Sequence, residues 1–304
     1  MKKVLSQRFR QAREFVLTWN SYNEFPAGAT GIFVARLRTL LVFIYGRRRY
    51  PRTRHRVRRL RSMKGSCQGP LLVLGAGPSL EALSPEWLTY FREQGGLVMG
   101  SNGFASVEAA LGSSADYLVL ADPAYFDSAG PDEESAAVVR DRDMARTFEG
   151  TLFVPAAKQV PLGREPRKTV YFEFDGLEGV GWRADPTRPR GFSGVTILSA
   201  ISIGLYLGYG PIYICGIDYD YFRTFQMDGM NRIVVGRSHH FEESESYWNA
   251  MGKDMADVLF DAARILRDLK NFASREVINL GGPSSLVDSF PRACPWRPQS
   301  HTSR

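Results

Sequence analysis

Two of the four histidines stand side by side in Gly236-Arg237-Ser238-His239-His240-Phe241. Imidazole titrates near neutrality and can take a proton from an attacking hydroxyl. Adjacent side chains in an extended segment point opposite ways, so at most one of His239 and His240 faces the chemistry, unless both are a solvated loop pair. Asp218-Tyr219-Asp220-Tyr221 matches the Asp-x-Asp pattern by which many nucleotide-sugar transferases hold a divalent metal. Three-residue patterns arise by chance, so Asp218 and Asp220 count as ligands only in a metal-dependent reaction. Arg190 stands just ahead of Ser193, at the start of an apolar helix, where it could face an anion while Ser193 caps. No Gly-x-Ser-x-Gly elbow supports a serine nucleophile.

The remaining candidates bind rather than react. Gly75-Ala76-Gly77-Pro78-Ser79-Leu80 joins an apolar run to a helical pattern. Its glycines permit a sharp turn and close approach to a ligand, Ser79 is placed to cap the helix, and the free N–H groups there suit a phosphate. It is neither the dinucleotide fingerprint, whose third glycine would fall on Leu80, nor a Walker loop. Asn102 and Asp122 follow the next two apolar runs as polar groups at neighbouring tips, although Asn-Gly and Asp-Pro also form ordinary turns.

These residues need strands that end together. Pro70–Leu74, Leu97–Gly100, Tyr117–Ala121, Thr151–Val154, Thr169–Phe172, Ile212–Cys215 and Val277–Leu280 read as short strands. Helical patterns lie near 79–94, 104–112, 132–148, 195–208 and 245–270. Continuous apolar runs such as LLVL, YLVL and IYIC are those of strands buried on both faces. The alternation predicts a doubly wound, mostly parallel, Rossmann-like α/β sheet with helices on both faces, whose ligands bind at the carboxyl ends of its strands.

The chain has 304 residues, 44% hydrophobic and 23% charged, which provides for a packed core and excludes disorder throughout. Its net charge of +7 hides a division: residues 1–64 hold 17 basic and two acidic groups, net +15, and the rest 22 basic and 30 acidic, net −8. Residues 31–45 show a helical apolar stripe (Phe33, Leu37, Leu40, Leu41, Ile44), followed by nine arginines between Arg47 and Arg61. Three readings stay open: an interfacial anchor on anionic lipid, a helix docked on the body followed by a solvated arm, or a nucleic-acid-contacting tail. Cys67, Cys215 and Cys294 are far apart and support neither a zinc knuckle nor a disulfide framework. With no secretory pattern and no run long enough to span a bilayer, the expected place is the cytoplasm, peripheral on the inner membrane face. The expected organisation is a basic amphipathic segment at 1–64, a Rossmann-like catalytic domain at 65–292 and a frayed tail at 293–304.

Together these pieces resemble the bacterial family-42 sialyltransferases and their wider relatives, the motility-accessory and 6-hydroxymethylpterin-diphosphokinase-like superfamily. Seven pieces fall in the same order: Gly75 to Leu80, Asn102, Asp122-Pro123, Arg190 to Val195, Gly216 to Asp218, the Ser/His loop and Pro283 to Leu286. The resemblance implies inverting, metal-independent transfer of a CMP-activated acidic sugar to a hydroxyl. It implies that Gly75, Gly77, Pro78, Ser79, Asn102, Ser193 and Ser284 line the nucleotide site. Arg190 would hold an anionic substrate group, His239 or His240 would be the base, and tyrosines would stabilise the leaving phosphate. The family's first tyrosine falls on Asp220, flanked by Tyr219 and Tyr221, and its second on Gln226. Asp122 replaces a family Asn and would repel a phosphate unless protonated or bridged by a cation.

The expectation is thus a glycosyltransferase-like enzyme acting on a nucleotide-sugar donor, CMP-sugar favoured, and a glycan or lipid-linked acceptor, with an anionic membrane touching residues 31–64. A homo-oligomer stays open, and no cofactor is firmly implied. Its rivals are a Mg²⁺-dependent pyrophosphokinase acting on a pterin-like acceptor with ATP, with Asp122, Asp218 and Asp220 suited to the metal, and a nucleic-acid-binding protein using the arginine-rich head.

Overall fold

In a parallel sheet with helices on both faces, strand side chains are buried on both sides, and most of those in the apolar runs here are. A computed structural model describes residue 37 and residues 55–122, 125–126, 136–158, 168–174, 185–187, 195–218, 225–227, 233–235, 265–266, 269–272, 275–282 and 287–295. The strands are β1 (Leu71–Leu74), β2 (Leu97–Gly100), β3 (Tyr117–Val119), β4 (Thr151–Pro155), β5 (Thr169–Phe172), β6 (Ile212–Cys215) and β9 (Val277–Asn279). All are parallel, in the order β5-β4-β3-β2-β1-β6-β9. The fold is a Rossmann-like α/β sheet, as the alternation of runs predicts. A separate antiparallel hairpin, β7 (Phe225–Met227) and β8 (Ile233–Val235), follows β6.

Successive side chains of β1 enter opposite layers. Leu71 and Val73 join a core with Ile197, Ala200, Ile201 and Ile203, whereas Leu72 and Leu74 join one with Trp87, Phe91, Phe104 and Val107. The first layer is built on helix α5 (Thr196–Leu207), and the second on α2 (Pro85–Glu93), α3 (Phe104–Leu111) and Ala145 of α4 (Ala136–Thr147). Helix α5 is buried nearly all round, and its Gly204 lies so close to β1 that a Cβ there would come within 2.6 Å of Leu71. The order reverses between β1 and β6: β2 to β5 extend to one side of β1, and β6 and β9 return on the other. That reversal is the usual ligand crevice of such sheets.

One expected helix start is corrected. Pro78–Ala82 is a 3₁₀ turn, and the α-helix begins only at Pro85, where Ser84 accepts a hydrogen bond from the Trp87 N–H at 3.2 Å. Ser84 is the cap, therefore, and Ser79 is not.

The basic head also departs from a solvated arm near its end. Helix α1 (Arg58–Ser62) lies before the boundary expected at residue 64, yet Val57 and Leu60 are fully buried. Arg56 donates to the carbonyls of Ala156 and Lys158, Arg59 to Thr169 and Arg61 to Thr187. Lys168 and Phe172 carbonyls face β4, so by alternation Thr169 carries its carbonyl on the outer edge of β5. At the other end, the Ala293 N–H donates to Asn279 of β9, past the boundary expected at 292. Among the described residues no helix is long and apolar enough to cross a membrane.

Candidate functional site

The carboxyl ends of β1 and β6 meet at the reversal, backbone against backbone. The Gly75 N–H donates to Cys215 O and the Gly77 N–H to Gly216 O, both at 2.9 Å. A methyl on Gly75 would overlap the Gly216 carbonyl, and Gly216 has φ +72°, where residues with a side chain are strained. These glycines make room for each other's strand. Ser79, 4% exposed, accepts through Oγ from the Gly216 N–H at 3.0 Å, so its hydroxyl staples the two strand ends together.

Asp218 completes the closure. Its carboxylate is 4% exposed and accepts the Ser79 N–H at 2.8 Å. The Leu80 N–H is taken by Gly77 O, and Pro78 has none. The Ser79 N–H, expected to meet a phosphate at this turn, therefore holds the protein's own anion. The Cys215 thiol beside it donates to Ser79 O at 3.2 Å, and burial pushes it up to about 12.

The next helix start repeats this pattern with a residue that sequence reasoning missed. Asp141 of α4, 2% exposed, accepts the Gly103 N–H at 2.5 Å and the Ala105 N–H at 3.0 Å. Tyr125 donates its hydroxyl to the same carboxylate at 2.6 Å, and burial, then the Asp141 charge, raises the phenol well above its ordinary value. Asp141 sits in a charged helical stretch with no local motif, so nothing near it in sequence marks it as the cap of α3.

Asn102 joins three segments. Its Oδ1 accepts the Ala121 N–H at 3.1 Å, and its Nδ2 donates to Thr196 Oγ1 at 2.7 Å. The tips of β2 and β3 and the start of α5 thus converge on one amide. Ser101 ties β2 to β1 through Leu74 O, and a Cβ on Gly103 would lie 3.2 Å from that of Ala76 in the glycine turn. Asp122 follows at the end of β3, exposed, with its carbonyl accepting from the Tyr125 N–H at 3.1 Å.

The structure therefore brings Gly75, Gly77, Pro78, Ser79, Asn102, Asp122 and Asp218 to one edge of the sheet, with Thr196 added. No family model matches the chain, and no curated protein sequence matches it. One solved structure is similar. It is the MAf glycosyltransferase from Magnetospirillum magneticum AMB-1, with a TM-score of 0.46 and 14% identity over 80% of this chain. The chain spans 38% of that protein's length.

Arg190, Ser193, Tyr219, Asp220, Tyr221, His239, His240 and Ser284 lie outside the described residues. Gln226, where the family's second tyrosine would fall, is in β7 opposite Val234. That hairpin is one sequence reasoning missed, although the Asp228-Gly229 pair that follows Met227 is a turn signal. Among the described residues no group of three or more His, Cys, Asp or Glu could hold a metal ion, and the Asp218 carboxylate is engaged by Ser79.

Proposed function

We propose that the chain is a glycosyltransferase-like enzyme that moves a sugar from a nucleotide donor to a surface-glycan acceptor. The observation that carries the reading is the reversal of strand order between β1 and β6. There the glycine turn, Asn102 and the start of α5 come together at the carboxyl ends of the strands. In this proposal the glycine turn and Asn102 form the wall against which the nucleoside lies. The donor phosphate sits toward α5 and Arg190, away from the amides already occupied by Asp218 and Asp141.

His239 or His240 takes the acceptor hydroxyl proton as that oxygen bonds to the anomeric carbon. The bond from that carbon to the phosphate oxygen breaks, and the nucleotide leaves with the electron pair, inverting the centre. Tyr219 or Tyr221 donates to the departing phosphate, and fixed donors of this kind stabilise the charge as it develops.

Donor hydrolysis with CMP-, UDP- and GDP-sugars, each with and without EDTA, tests this directly. Turnover of a CMP-sugar that persists in EDTA and vanishes in the His239→Ala/His240→Ala variant is the expected result. A chain that binds no nucleotide, or a double variant as active as the parent, overturns the enzyme reading.

A further inference from the structure

The side-chain amide of Asn102 has two ends of similar shape, and its partners decide which is which. The Ala121 N–H can only donate, so the end facing it at 3.1 Å is Oδ1, and the end 2.7 Å from Thr196 Oγ1 is Nδ2. That nitrogen carries two N–H groups, and one goes to Thr196. Asn102 makes no further hydrogen bond among the described residues and is only half-buried, so the amide keeps an open side. Both anchors are covered, with Ala121 1% and Thr196 7% exposed, and water is kept from replacing either bond. Thr196 opens α5, which is buried nearly all round and pressed against β1 at Gly204, so its hydroxyl has a fixed place. A hydroxyl can donate as well as accept. One backbone donor and one hydroxyl would therefore hold an aspartate at position 102 as readily as an asparagine. Only the open side calls for an amide.

We propose that Thr196 is a positioning residue of the nucleotide site, holding the Asn102 amide so that its second N–H donates to an oxygen of the bound nucleotide. That role rests on the nucleotide reading of this edge and gives the contact a polarity. A nucleotide offers oxygens that accept, and its phosphate repels a carboxylate. Without the Thr196 hydroxyl the Nδ2 end of Asn102 faces no acceptor among the described residues. The amide then turns to find another, because a covered N–H without a partner is costly, and the second N–H leaves its place. In the sequence Thr196 is one more residue at the head of an apolar helix, and its partner is 94 positions away.

The test is titration calorimetry of the full chain with CMP, with melting temperatures measured alongside. Thr196→Val removes the hydroxyl and keeps the shape, and should weaken CMP binding about tenfold, the loss of one hydrogen bond. Thr196→Ser keeps the hydroxyl and should bind CMP as the parent does. Asn102→Asp should melt with the parent, since its two anchors still serve a carboxylate, and yet lose CMP binding. Because Thr196 acts through Asn102, adding Thr196→Val to Asn102→Ala should weaken binding no further. A threonine that only braces the fold would lower the melting temperature of Thr196→Val and leave CMP affinity unchanged. That result, a serine variant as weak as the valine one, additive losses in the double variant, or an aspartate variant that binds CMP like the parent would each overturn the proposal. A parent that binds no nucleotide overturns the enzyme reading as well, so the two failures are told apart.

Discussion

Replacing Asp218 with alanine distinguishes a carboxylate that builds the crevice from one that works in it. The side chain is 4% exposed and accepts the Ser79 N–H at 2.8 Å, and Ser79 is itself 4% exposed. Losing a hydrogen bond to a charged group costs about 1.5–3 kcal/mol, and a buried N–H without an acceptor carries a desolvation penalty of similar size. These overlap, so Asp218→Ala should destabilise by about 2–4 kcal/mol. For a chain of this size that corresponds to a melting temperature lower by about 3–6 °C. Asp218→Asn keeps an acceptor oxygen in the same place and should cost about 1 kcal/mol. Differential scanning fluorimetry of the three proteins, at equal concentration and without nucleotide, reads the effect. An Asp218→Ala protein that melts with the parent would refute the reasoning and return Asp218 to the list of cleft acids. So would an asparagine variant as damaged as the alanine one.

Gly75→Ala should destabilise by about 1–3 kcal/mol because the obstacle is the Gly216 backbone carbonyl, whereas Gly282→Ala meets nothing within 4 Å and should be neutral; equal melting temperatures would contradict the close approach. Leu60→Ala, a change within the basic head, should cost about 2–5 kcal/mol in urea unfolding, as for any buried leucine, and an unaltered midpoint would mean a solvated arm. Iodoacetamide at neutral pH should label exposed Cys294 and spare Cys215 until denaturant is added; rapid labelling of Cys215 in the native protein would contradict its burial. Burial holds the Cys215 thiol at about 12 in the fold, against an ordinary 9.0. Its contribution is complete below pH 9.0 and lost as pH rises toward 12, so urea midpoints should fall across that window less steeply in Cys215→Ala.

Most of the sheet is legible because burial on both faces leaves continuous apolar runs that only a covered parallel strand explains. The seven runs became the seven strands, with small changes at their ends such as the start at Leu71 rather than Pro70. The hairpin was missed because each of its strands is only three residues long, too short for a period to show. Ser79 illustrates a different limit. Its place after a glycine turn predicts a cap, but its partner Gly216 is 137 residues away, and no local pattern reveals such a bond. Asp141 is harder still, since its role depends on α4 bringing a carboxylate to the start of α3. In α1 the density of arginine conceals the three-residue spacing of Val57 and Leu60, the only sign that this stretch packs.

The cover that α1 places over β5 also decides how the protein can be divided. β5 ends the sheet, and its outward Thr169 carbonyl is met by Arg59, while Pro186 O takes the Glu173 N–H farther along. A body cut at residue 64 would lose that guard and bare the pockets of Val57 and Leu60 together with an open strand edge. Such an edge is a template on which a second chain can add. The arginines of α1 thus stand where a further strand would otherwise add to the sheet.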